Sequence, residues 1–118
     1  MRMNVVKRGW LVGVLIATAM MLSSAGNTEA QESAAVAVSV KGHKFQPAEI
    51  QAPANKRLSI TVKNLDSAAI EFESVSLRVE KVVAPGSEGI VNVRALAPGR
   101  YEFFDDFHQE TRGVLVVQ

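Results

Sequence analysis

From Ala35 onward, apolar and polar positions alternate. Val36, Val38 and Val40 fall on one side of a run with a period of two, the spacing that sends successive side chains to opposite faces of a strand. Leu58, Ile60 and Val62 alternate with Arg57, Ser59, Thr61 and Lys63, as in a sheet with one core face and one wet face, and Asn64-Leu65-Asp66-Ser67 ends that run. Ile70-Glu71-Phe72-Glu73 resumes the pattern with both carboxylates on the face opposite Ile70 and Phe72. Leu77, Val79 and Val82 predict another extended stretch, closed by Ala84-Pro85-Gly86-Ser87, and Gly89 to Val93 a further short strand. Ala97-Pro98-Gly99 repeats the turn signal ahead of Tyr101-Glu102-Phe103-Phe104, and Gly113 to Val117 reads as the closing strand. Between Phe45 and Ile50 the pattern is broken by Pro47, which, like Pro53, lacks a ladder donor and belongs at an edge or a turn.

About seven short strands separated by turn residues predict an all-β fold, a Greek-key β-sandwich. Beyond the first 30 residues no stretch carries a sustained helical stripe; a small helix near residues 74–82 is the one alternative to extended structure. The closing Val-rich strand, free of Pro and nearly continuous in apolar character, is predicted to be central, and the Pro47 segment to lie near an edge.

The first 30 residues differ from the rest. Arg2, Lys7 and Arg8 precede an apolar run from Trp10 to Leu22, and small and polar residues follow. This is the order of a secretory signal peptide, with Thr28-Glu29-Ala30 as the exit and cleavage after Ala30. Ser24 and Ala25 offer an alternative exit. The run of 13 residues is short for a membrane span of about 20, so an uncleaved anchor is the weaker alternative. The expected organisation is a signal peptide over 1–30 and one domain over 31–118, periplasmic after export and not membrane-spanning.

Composition then narrows the chemistry. The 118 residues hold 13 Lys+Arg, 12 Asp+Glu and no Cys. Losing residues 1–30 would remove Arg2, Lys7, Arg8 and Glu29, leaving ten basic and eleven acidic residues, and would also remove Trp10 and all four Met. Without a basic run interleaved with aromatics, nucleic acid is not an expected partner. Without Cys there is no disulfide, thiolate-bound metal or cysteine nucleophile, which leaves His, Asp and Glu as ligands. The densest polar cluster is Asp105-Asp106-Phe107-His108-Gln109-Glu110-Thr111-Arg112, expected as a loop between the last two strands. Together with His43 and the Glu71/Glu73 pair it offers a mixed imidazole and carboxylate site suited to Cu(II), Fe, Mn or Zn rather than Cu(I). Its competing reading is a solvated hairpin. No Ser-His-acid pattern or HExxH element points to hydrolysis.

Phe45-Gln46-Pro47-Ala48-Glu49-Ile50, Leu58 to Asn64, and Ala97-Pro98-Gly99-Arg100-Tyr101-Glu102-Phe103 leading through a His-containing segment to Gly113–Val117 together resemble a cupredoxin. That resemblance implies a cupredoxin-type sandwich. It puts Glu71 near the first His ligand of blue-copper proteins, Asp105 at the Cys position, His108 at the second His position, and Thr111 or Arg112 where Met is expected. Because a blue site needs a thiolate, type 1 copper is excluded.

The stretches around His43, Glu71-Phe72-Glu73, Glu80-Lys81-Val82-Val83-Ala84-Pro85-Gly86 and Phe103-Phe104-Asp105-Asp106-Phe107-His108 are more closely similar to the cysteine-free cupredoxin-like proteins of bacterial ferrous-iron uptake systems. This closer resemblance implies a metal-binding or redox accessory protein acting beside an iron permease and a periplasmic iron/copper-binding protein, with a role in iron oxidation, electron transfer or delivery. The expected metal residues are His108, Asp106, Asp105, Glu71, Glu73 and His43, and the expected metal is copper(II) or iron. The alternative is a metal-free adaptor that docks another periplasmic protein, its carboxylates steering it to a basic surface. The two readings differ in space: ligands scattered to different ends of the sandwich would favour the adaptor.

Overall fold

The computed structural model describes residues 33–118; the signal-peptide expectation lies outside them. Nine strands follow in order: β1 Ser33–Lys41, β2 Lys44–Gln46, β3 Glu49–Ala52, β4 Arg57–Asn64, β5 Ile70–Ser74, β6 Val79–Val83, β7 Glu88–Val93, β8 Gly99–Asp105 and β9 His108–Val117. They form two mixed sheets, one ordered β2-β1-β4-β7 and the other β3-β9-β8-β5-β6. The β1/β4 and β3/β9 pairs are parallel and the remaining pairs antiparallel.

The alternation read from the sequence is the alternation of burial. Val38, Val40, Ile60, Val62, Val91 and Val93 line the inner face of the first sheet. Ile50, Ile70, Phe72, Phe103, Leu115 and Val117 line that of the second. Phe103 is the hub: its ring stacks on Phe72 at 4.9 Å and meets Phe45 edge-on at 4.8 Å, arrangements worth about 0.5–1.5 kcal/mol per pair beyond area burial.

Two details depart from the sequence reading. The Pro47 segment is two strands rather than one broken strand, because Pro47 carries the chain from the edge of one sheet (β2) to the edge of the other (β3), and this raises the count above seven. The polar stretch from Asp105 to Arg112 is a tight turn at Asp106-Phe107 flanked by strand. Asp105 pairs with His108 and Phe104 with Arg112, so Gln109, Glu110 and Thr111 bulge out of the ladder on β9. Over residues 75–78, where a helix was the alternative, the chain makes a turn between β5 and β6. The closing strand is internal, between β3 and β8, and both halves of the Pro47 segment are edges, as expected.

Candidate metal centre

One end of the sandwich is organised by Asn64 at the close of β4. Its side chain is fully buried; the amide donates to the carbonyls of Ala68, Val83 and Ala84 and the oxygen accepts from the Asp66 N–H. This fixes the β4–β5 connection. Asp66 then accepts the N–H groups of Gly42 (2.6 Å) and His43 (3.0 Å) in the β1–β2 turn. Those two bonds, ahead of the nearby charge of His43 and His108, hold the Asp66 carboxyl below its ordinary pKa. His43 sits at φ +58°, a left-handed conformation uncommon for a non-glycine residue. It is held a second time by the Thr111 hydroxyl, which donates to the His43 carbonyl at 2.7 Å.

These bonds bring the His43 ring to 4.4 Å from the ring of His108, centroid to centroid. His108 is fixed from its other side. Its Nδ1 lies 3.0 Å from Oδ2 of Asp105, a side chain with no exposed surface, whose Oδ1 accepts the N–H groups of Glu71 (2.9 Å) and Phe107 (3.0 Å). Asp105 occupies the slot expected of the cupredoxin Cys and is the point where β5, the β8–β9 turn and His108 meet.

On the outer face beside this end, Glu71 and Glu73 project from β5 and Asp106 from the turn. Asp106 is fixed by its N–H donating to the Glu71 carbonyl at 2.8 Å. One carboxylate oxygen from each of Glu71, Glu73 and Asp106 lies within 4.8 Å of the other two, the one group of three such ligands among the described residues. Crowding shows in the chemistry. The pKa values of Glu71 and Glu73 are raised, first by desolvation against the sheet, then by hydrogen bonding to Asp106 and the negative charge of Asp106 and Glu80. Gln109 donates to Asp106 Oδ1 at 3.0 Å and helps place it. Three half-buried oxygen donors offer a hard cation the ligands it prefers and relieve their mutual repulsion on binding it.

All six predicted metal residues therefore lie at one end. Glu71, Glu73 and Asp106 converge on the outer face, while His43, His108 and Asp105 form an adjoining constellation. Sequence reasoning missed Asp66 and Asn64 as supports. The available signal was the Asn-x-Asp spacing at the end of β4, which makes an Asx turn here. Arg112, weighed for the Met position, points outward over the Phe104 ring, whereas Thr111 points in.

A two-sheet sandwich of mixed strands, with its polar constellation on the β1–β2, β4–β5 and β8–β9 connections at one end, defines the class. The chain belongs to the cupredoxin-like domain family, whose model matches residues 13–117. It is 37% identical over 83 residues to the uncharacterized protein RP394 of Rickettsia prowazekii; the match covers 70% of this chain and 66% of that protein, just under two thirds of its length. Among solved structures it is similar to a purple cupredoxin from Nitrosopumilus maritimus, with a TM-score of 0.57 and 16% identity over 70% of this chain and 99% of that one. It is also similar to the metal binding domain of the Streptococcus pneumoniae Cu(I)-exporting P-type ATPase CopA, with a TM-score of 0.61 and 15% identity over 75% of this chain and 97% of that one. At these identities the two structures establish the fold.

Proposed function

We propose that this domain is an exported, periplasmic cation-binding accessory protein of ferrous-iron acquisition, which holds iron transiently at Glu71, Glu73 and Asp106 for handover to a partner such as an iron permease or a periplasmic iron/copper-binding protein. The observation that carries this reading is the convergence of three carboxylates from two elements within 4.8 Å. Basic residues ahead of an apolar run at the N-terminus support export. The cysteine-free sequence supports a non-blue site. The placement of all six candidate residues at one end supports a binding site over a metal-free adaptor.

Half-buried carboxylates with raised pKa values suit handover. The raised values mean that protons compete with a cation over a somewhat higher pH range than at ordinary surface glutamates, so affinity rises with pH through the carboxylate range. Oxygen donors of this kind suit iron among the hard cations.

The test is uptake of radiolabelled Fe(II) by iron-starved cells that lack this protein and are complemented with either the wild type or a Glu71→Gln, Glu73→Gln double variant. The expected result is restored uptake with the wild type and none with the double variant at equal periplasmic abundance. Equal uptake with both would overturn the assignment.

A further inference from the structure

We propose that Asp105 is the positioning residue of the carboxylate site: its buried side chain holds the backbone of Glu71 and of the Asp106-Phe107 turn so that the ligand oxygens meet, and it binds no cation itself. The proposal rests on the reading of Glu71, Glu73 and Asp106 as a cation site and gives Asp105 a different task from those three.

The β5–β8 ladder carries two registered pairs, Phe72 with Asp105 and Glu73 with Phe104. One step further, a regular antiparallel ladder would pair Glu71 with Asp106 and exchange an N–H···O bond in each direction. Half of that exchange is made. The Asp106 N–H donates to the Glu71 carbonyl at 2.8 Å, but the Glu71 N–H goes to Oδ1 of Asp105 at 2.9 Å. The same oxygen accepts the Phe107 N–H at 3.0 Å. One side chain thus stands in for a backbone acceptor, which frees the chain to turn at Asp106-Phe107. It also ties the strand that carries Glu71 to the turn that carries Asp106.

Asp105 is placed to support ligands and not to be one. Its side chain has no exposed surface, and both oxygens are engaged, Oδ1 by the two N–H groups and Oδ2 at 3.0 Å from His108 Nδ1. A cation would have to break those bonds to reach it. Glu71, Glu73 and Asp106 are half-buried instead, each with one oxygen within 4.8 Å of the other two. A binding constellation needs its donors held to within about 0.5 Å, and flexible carboxylate side chains meet that demand only from a fixed backbone. Without the Oδ1 acceptor, two N–H groups would be left to find other partners, and Glu71 and Asp106 would part. What the role requires is the acceptor rather than the charge, because an amide oxygen accepts N–H bonds as a carboxylate oxygen does.

The test compares wild type, Asp105→Asn and Asp105→Ala by two measurements: backbone amide hydrogen exchange without metal, and anaerobic titration of Fe(II) alone. In the wild type the Glu71 and Phe107 N–H groups should be protected from exchange. Asp105→Asn keeps an oxygen at the Oδ1 position and turns its NH2 to His108 Nδ1, which accepts in its other tautomer. It should keep that protection and hold Fe(II) to within about threefold of wild type. Asp105→Ala removes the acceptor, so the Glu71 and Phe107 amides should exchange faster while those of Phe103 and Leu115 in the core stay protected. Fe(II) should then bind about 10–100-fold more weakly. Unprotected Glu71 and Phe107 amides in the wild type would overturn the proposal without any variant, as would wild-type Fe(II) affinity in Asp105→Ala. Weakening by about tenfold or more in Asp105→Asn would assign the role to the charge, as ligand or by attraction, and also overturn it. Should Asp105→Ala not fold, wild-type exchange and the Asp105→Asn titration decide by the same outcomes. If the wild type binds no Fe(II), the iron reading falls, whereas the exchange pattern still reports whether Asp105 holds the two segments, so the two readings fail separately.

Discussion

At Asp66, two backbone N–H donors depress the carboxyl pKa below its ordinary 3.8. A depressed acid contributes stability that is present above the unfolded value and lost as pH falls through the folded one. Replacing it, as Asp66→Ala, should cost about 1 kcal/mol at neutral pH, below the usual range for charge-assisted bonds because the group is partly solvated. In thermal melts across pH the gap from wild type should close below the aspartate range. Glu71 and Glu73 have the opposite sign. Their raised values mean that ionisation is disfavoured in the fold, a penalty present at neutral pH and relieved as pH falls toward the ordinary 4.5. The Glu71→Gln, Glu73→Gln variant should therefore melt above the wild type without metal at neutral pH, and the two should converge in acid. The Glu71/Glu73 pair was legible because a period of two fixes which side chains share a strand face. Asp66 and Thr111 were not, since their contacts with the β1–β2 turn span 24 and 68 residues, separations that no local pattern encodes.

At the level of elements, β9 does two jobs, and both depend on small departures from a regular strand. Its bulge at Gln109–Thr111 turns Thr111 inward to hold His43. At Gly113, a Cβ would stand 2.5 Å from Phe103 Cε2 and Cζ and 3.1 Å from the Ala48 carbonyl. That ring cannot give way, because Phe45 and Phe72 flank it. Gly113→Ala should overpack the core and destabilise the domain by roughly 1–3 kcal/mol in urea titration. The strands of the sandwich could be read from alternation alone, Leu58 to Val62 most cleanly. The ends of β8 and β9 could not: polar residues that bulge or turn inward at the sandwich end look, in sequence, like a solvated loop. Pro47 signalled an edge correctly but not that it joins two different sheets, which is a property of the topology.

For the molecule as a whole, the sandwich is a rigid frame that presents two adjoining polar groups at one end, carboxylates on the outer face and imidazoles above the core. Nothing in the alternation foretold that the β1–β2 turn, the β4–β5 connection and the β8–β9 turn would gather there; family resemblance supplied that expectation, and the topology realises it. The cysteine-free composition, legible at once, separates this domain chemically from thiolate-bound copper while leaving oxygen and nitrogen donors in place. The central claim is that Glu71, Glu73 and Asp106 are a cation site, and anaerobic calorimetric titration of Fe(II) into the purified protein tests it most directly. One ion should bind per chain, more tightly as pH rises, and Glu71→Gln with Glu73→Gln should weaken binding at least about tenfold, or about 1.4 kcal/mol. Equal affinity in the two proteins, or no Fe(II) binding to the wild type, would contradict it.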